Sequence, residues 1–200
     1  MKKITILVTG FGPFGGENVN PSEMILKRLP DNVVDVRIEK LLLPVEFVGS
    51  REIAIAKYDE LCPDAVIMLG QAGGRSAITP ETMAKNLMNA KIPDNAGYKP
   101  ENEKIAVNGS NILYSALPTE KIVEAIKASG VPASISSDAG GYVCNCLFYS
   151  MLYHNSGAVP TGFIHVPYIK EQNMTTYMEF NEMYKGIAAA IKAVIDQIKT

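Results

Sequence analysis

The chain has 200 residues, 47% apolar and 20% charged, with 19 basic against 21 acidic side chains and a formal net charge of −2. Charges of both signs are interspersed. With no basic run or stripe, a nucleic-acid partner is excluded, and with no polybasic segment or long apolar run a membrane partner is excluded too. The composition is that of an ordinary globular protein, and the length suffices for a large core, so residues 1–200 are expected to form one domain.

Met1-Lys2-Lys3 followed by Ile4–Val8 has the charge pattern of a secretory leader. The apolar run is short, however, and breaks at Gly10, Gly12 and Pro13 with no small-residue cleavage site, so it reads as a buried first strand. It ends at Thr9-Gly10, and Gly10–Gly16 follows as a Gly/Pro loop with two exposed aromatics, Phe11 and Phe14. Asn20-Pro21-Ser22-Glu23 starts a helix: Asn20 caps, Pro21 suits the first position and Glu23 has capping-box spacing. The helix stops before Pro30.

Val33–Leu43 predicts a second strand and Val45–Leu61 a helix. Ala65–Leu69 is a third buried strand, with a glycine-rich loop at 70–74. Residues 76–92 lean toward extended structure, and the segment from Pro93 to about Asn108 reads as turns and surface loops. Thr119–Ser129 predicts a helix capped by Thr119 and stopped by Gly130. Ala133–Ser137 predicts a fourth buried strand, Asn145–Asn155 a helix with Cys144 in its first turn, and Thr161–Val166 another strand. The stripe Tyr177, Phe180, Tyr184, Ile187, Ile191, Val194 and Ile198 makes the last helix amphipathic. Alternating strands and helices imply an α/β fold, a three-layer α/β/α sandwich around a mainly parallel sheet with helices on both faces.

In such sheets sites form outside the carboxyl ends of the strands. Residues 10–16, 70–74, 138–144 and 165–168 each follow a predicted strand and are expected to converge on one crevice. There Cys144 would meet the unpaired N–H groups of a helix start, which lower a thiol pKa, although burial as a small hydrophobe is the commoner lot of a free cysteine. His165, at a strand end, is placed as a general base or as a histidine with only hydrogen bonds to make. His154 reads as a surface residue, Cys146 as core and Cys62 as structural. Three cysteines do not make a disulfide framework, and a reducing cytoplasm is expected. Gly10–Gly16 is not a phosphate cradle. Its aromatics suit either a small flat apolar group or a structural anchor. Nothing local singles out Glu81.

Five segments together carry a resemblance: 8–16 (VTGFGPFGG), Gly74-Arg75-Ser76 leading to Glu81, Ile92-Pro93-Asp94-Asn95, 137–145 (SDAGGYVCN) and 162–167 (GFIHVP). The chain resembles bacterial pyroglutamyl peptidase I, a family of cysteine peptidases, over nearly its whole length. The resemblance implies an α/β/α sandwich, peptides with N-terminal pyroglutamate as substrates, no metal or cofactor, and a homotetramer. It also implies a triad of Cys144, His165 and Glu81. Phe11 and Phe14 would sandwich the pyrrolidone ring, the Gln71 backbone would read the lactam, and Tyr142 and Val143 would line the same pocket. Thr82 stands where the family usually has a basic residue, Lys91 stands where many bacterial members carry arginine, and the segment between His154 and His165 is short. A binding module without catalysis and a nucleoside-phosphorylase-like enzyme are the rival classes. The second would need phosphate and ribose contacts that the sequence does not contain.

Overall fold

A computed structural model describes residues 3–200; Met1 and Lys2, the start of the leader-like pattern, lie outside them. Six strands form one sheet. β1 (Thr5–Phe11), β3 (Val36–Leu43), β4 (Ala65–Gln71) and β8 (Thr161–Val166) run parallel in the order β3-β1-β4-β8. The short strands β2 (Asn32–Val33) and β5 (Thr79–Pro80) are antiparallel and close the two edges. A separate hairpin pairs β6 (Met83–Lys85) with β7 (Ile112–Tyr114).

The strands read as unbroken apolar runs because both faces are covered. In β1, Ile6 and Val8 pack into one core with α1 (Pro21–Arg28), α3 (Thr119–Ala128) and α5 (Phe180–Ile198). Leu7 packs on the other face with α2 (Phe47–Leu61) and α4 (Val143–Asn155). β4 divides in the same way, Ile67 and Leu69 to one side and Val66 and Met68 to the other. The alternation follows from the two-residue period of a strand.

Several boundaries differ from the sequence expectation, each for a local reason. The stretch 33–43 is two strands rather than one, because Val34 takes a left-handed conformation (φ 57°) and turns the chain. Asn20 caps α1 through Ser22 N–H, while Glu23 pairs with Lys27 instead of completing a capping box. Helix α2 starts at Phe47, two residues late, because its first N–H donates to the carboxylate of Asp94, 47 residues away (2.9 Å). Thr119 is the first helical residue of α3 rather than its cap, and Tyr177 lies before α5, exposed. Phe11 is buried at the end of β1, and only Phe14 is partly exposed.

Residues 133–137 form no continuous strand. Bridges join Ala133 to Ile78 and Ser136 to Glu81, and Ile135 is 45% exposed. The ladder alternates Ile78 N to Pro132 O, Ser134 N to Ile78 O, Ser136 N to Pro80 O and Thr82 N to Ser136 O. Pro80 has no N–H with which to fill the missing rung, and this confines the pairing to a sheet edge.

Asp94 joins α2 to the loop that follows it, accepting also from Ala96 N–H and Tyr98 N–H. Asp94→Ala leaves the buried Phe47 N–H and the part-buried N–H groups of Ala96 and Tyr98 without their acceptor and is expected to destabilise the fold by roughly 2–3 kcal/mol. Urea unfolding with an unchanged m-value tests this, and a midpoint equal to wild type would contradict it.

Candidate active site

At the carboxyl ends of β1, β4 and β8 lies a cleft of about 270 Å³. Phe11, Phe14, Gln71, Tyr142, Val143, Cys144 and His165 all line it. Among the residues that the resemblance assigns to the site, Glu81 alone is not part of its wall. It lies behind His165, with no solvent exposure.

Sheet register brings this pair together. Thr79 stands opposite His165 and Pro80 opposite Ile164, and Glu81 N–H then donates to Phe163 O (2.9 Å). Glu81 is therefore a diagonal cross-strand neighbour of His165 on the same face, within side-chain reach. Its Oε1 lies 2.7 Å from His165 Nδ1. Oε1 also accepts from Arg75 Nη1 (2.6 Å), while Oε2 is buried without a hydrogen-bond partner. Burial works against the charge of Glu81, but contacts with His165, Ser136 and Arg75 outweigh it and hold the carboxyl below its ordinary range. For His165, burial outweighs the attraction of Glu81 and pushes its pKa below the usual imidazole value. The resting pair is thus a carboxylate and a neutral imidazole. Nδ1 carries the proton toward Glu81, and Nε2 is left as an acceptor.

Cys144 is the second residue of α4. Gly140, at φ +82°, turns the chain there, and Tyr142 is an extended N-cap with no side-chain bond to the helix. The first N–H groups of α4 consequently have no capping side chain. Cys144 Sγ lies against Gly70, the residue paired with His165 across β4 and β8; a Cβ added at Gly70 would come within 2.9 Å of Sγ and 2.6 Å of Phe163. The thiol pKa does not fall, as its helix position had suggested. Burial first, and then the negative charge of Glu81, push it up to about 12 against the opposing pull of its own backbone N–H and of Arg75. Both shifts favour the uncharged forms of the thiol and the imidazole, two side chains that line the same cleft.

The aromatic wall is tied in place. Tyr142 Oη donates to Pro93 O (2.9 Å), and its ring meets Phe47 edge-on at 5.3 Å and Phe14 at 6.1 Å. Asn95 Nδ2 donates to Pro13 O (3.1 Å), and Asn20 Nδ2 to Gly12 O (2.9 Å). Gln71 Oε1 accepts from Gln172 Nε2 (3.0 Å). Asn145, fully buried beside Cys144, accepts from Lys85 N–H and donates to the carbonyls of Lys85 and Leu87.

The other candidates fall elsewhere. His154 pairs with Asp59 on the surface (2.7 Å), Cys146 is buried among Met88 and Phe47, and Cys62 ends α2 in an exposed left-handed position. Sequence reasoning gave no role to Arg75, Asn145, Asp94 or Gln172. An arginine directly after Gly73-Gly74 at a strand end was a readable signal. The rest act through distant backbone groups that a linear sequence does not show.

A profile of the pyroglutamyl peptidase family matches residues 4–197. The chain belongs to the pyroglutamyl peptidase family. A relative, pyrrolidone-carboxylate peptidase 1 of Caldanaerobacter subterraneus subsp. tengcongensis, is 46% identical over 197 residues, 95% of this chain and 97% of its own. Solved structures of pyroglutamyl peptidase I from Bacillus amyloliquefaciens and of pyrrolidone carboxyl peptidase from Thermococcus litoralis superpose with TM-scores of 0.94 each. They are 38% and 33% identical, and cover 98% of this chain and 98% and 95% of their own. Of the two departures from the family pattern, Lys91 is exposed and Thr82 donates its hydroxyl to Ser136 O (3.1 Å), adding a tie beside Glu81.

Two outcomes test this geometry. Gly70→Ala is expected to fold but to displace the thiol or Phe163, lowering turnover by roughly 100-fold, since an ångström of misplacement has that effect; full activity would show that the sulfur does not depend on this contact. Alkylation of Cys144 by iodoacetamide is expected to accelerate by about tenfold per pH unit from neutral pH upward, because only the thiolate reacts. A rate already on a plateau at neutral pH would indicate a preformed thiolate–imidazolium pair.

Proposed function

We propose that the chain removes N-terminal pyroglutamate from peptides, with Cys144 as nucleophile, His165 as general base and acid, and Glu81 as the group that orients the imidazole. The observation that carries this reading is the 2.7 Å contact of His165 Nδ1 with the buried Glu81, behind a cleft that His165 and Cys144 both line. Membership of the pyroglutamyl peptidase family supports the substrate class.

Cys144 Sγ adds to the carbonyl carbon between pyroglutamate and the next residue as His165 Nε2 takes the thiol proton. With thiol and imidazole both neutral at rest, proton transfer accompanies attack. Glu81 keeps the proton on Nδ1 and stabilises the imidazolium that forms. The oxyanion is stabilised by N–H groups of the uncapped start of α4. His165 returns its proton to the leaving amine, which departs as the C–N bond breaks. Water then adds to the thioester, releasing pyroglutamic acid and restoring the thiol.

Phe11 and Phe14 would flank the flat ring, with Gln71, Tyr142 and Val143 around it. Proline, which lacks the lactam carbonyl, would leave a buried donor unpaired at a cost of about 1–3 kcal/mol. The same reading takes residues 1–200 as one domain. It takes the protein as cytoplasmic, in keeping with a reduced Cys144, and as a homotetramer, in keeping with the family resemblance and with apolar side chains left exposed on β7, such as Tyr114. Among the described residues no helix is long and apolar enough to cross a membrane.

Release of a fluorogenic amine from a pyroglutamyl substrate, against alanyl and prolyl controls, tests the reading. Cys144→Ala is expected to abolish release with folding retained, whereas Cys146→Ala keeps most of it. His165→Ala is expected to lose activity and His154→Ala to keep it. Equal losses in the two cysteine variants would remove Cys144 as nucleophile, and a fully active His165→Ala would remove the base.

A further inference from the structure

Arg75 has no part in the triad, yet its guanidinium touches three separate pieces of the site. Nη1 donates to Glu81 Oε1 (2.6 Å) and to the Thr79 hydroxyl on β5, and Nη2 donates to the carbonyl of Asp138 (2.9 Å). Asp138 opens the turn through Gly140 that delivers Cys144. The chain segments joined in this way, 79–81 and 136–138, are the two whose ladder lacks a rung at Pro80. Arg75 supplies the cross-connection that the backbone cannot.

Its charge matters for a second reason. Glu81 is sealed from solvent, its Oε2 has no hydrogen-bond partner, and the imidazole on Oε1 is neutral at rest. Arg75 is therefore the formal positive charge in contact with this buried carboxylate, and a buried charge without such a partner tends to take up a proton instead. A protonated Glu81 would no longer hold the imidazole in the tautomer that leaves Nε2 free. The groups around the pair are few. Glu81 meets His165, Arg75 and Ser136; His165 meets Glu81, with Arg75 and Cys144 along the same cleft; the Lys85–Asp138 pair lies at the rim (2.9 Å).

We propose that Arg75 is a positioning residue of the site, holding Glu81 ionised against His165 and fixing the Asp138 turn from which Cys144 is presented. The planar fork is needed because its donors bond acceptors on two sides at once, which a lysine ammonium at the same place cannot span. The inference rests on the triad reading above.

Arg75→Met, Arg75→Lys and Glu81→Gln, assayed across the pH range on a fluorogenic pyroglutamyl amide, decide the matter. In Arg75→Met, kcat is expected to fall by roughly 10- to 100-fold, the size seen when a partner that orients a reactive group is lost, with KM little changed. The acid limb of its kcat/KM profile should move to higher pH. Without the arginine, His165 loses a repelling charge and Glu81 a stabilising one, and both changes raise the pH at which the competent pair, an ionised Glu81 with a neutral imidazole, forms. Arg75→Lys should lower kcat but keep the wild-type acid limb, since the charge remains; it also serves if the methionine variant fails to fold. Wild-type kcat and pH profile in a folded Arg75→Met, or an acid limb in Arg75→Lys displaced as far as in the methionine variant, would overturn the proposal. If Glu81→Gln is also fully active, the triad reading itself fails; if it loses activity while Arg75→Met does not, only the role of Arg75 falls.

Discussion

A carboxylate with no solvent access, Glu81, stands at the edge of the sheet, and much of the surrounding structure serves to keep it charged and in place. An isolated buried carboxylate would take up a proton, so it needs donors from several directions. Here the imidazole of His165 and the guanidinium of Arg75 share one oxygen. Because the imidazole is neutral at rest, the arginine carries the compensating charge, and the imidazole carries the directional bond that fixes its own tautomer.

That arrangement depends on an unusual piece of backbone. β5 is two residues long, antiparallel to β8, and contains a proline. A regular parallel strand at this edge would have needed a crossover and would have continued the ladder on both sides. The short antiparallel segment instead places Thr79, Pro80 and Glu81 beside Ile164 and His165, and leaves room for residues 133–136 to pair only in part. Side chains then provide what the ladder lacks.

Elsewhere around the cleft, buried polar side chains hold irregular loops by bonding to their backbone groups. Asp94 holds the start of α2 and its own turn, Asn145 holds residues 85–87 beside Cys144, and Asn20 holds the aromatic loop at Gly12. Such segments have no ladder to satisfy their own N–H and C=O groups, and a buried group left unpaired is costly. Fixing these loops in advance holds Phe14 and Tyr142 against the cleft and sets the start of α4 that carries Cys144.

Much of this protein was legible in its sequence. The continuous apolar runs Ile4–Val8 and Ala65–Leu69, the helical stripe from Phe180 to Ile198 and glycine-rich turns at strand ends specify the sandwich, because both-face burial and the helical period leave direct traces in residue order. The same traces placed Cys144 at a helix start and His165 at a strand end, and the resemblance of five segments to a peptidase family added Glu81. Tertiary structure alone decided how Glu81 meets His165, since strand register across β5 and β8 relates residues 84 positions apart. It alone made Phe11 buried, broke the strand at 133–137 through Pro80, and started α2 two residues late because of Asp94. It also reversed the thiol: a helix start lowers a cysteine pKa, but burial beside a carboxylate raises it, and burial is a property of the assembled fold that no local pattern carries.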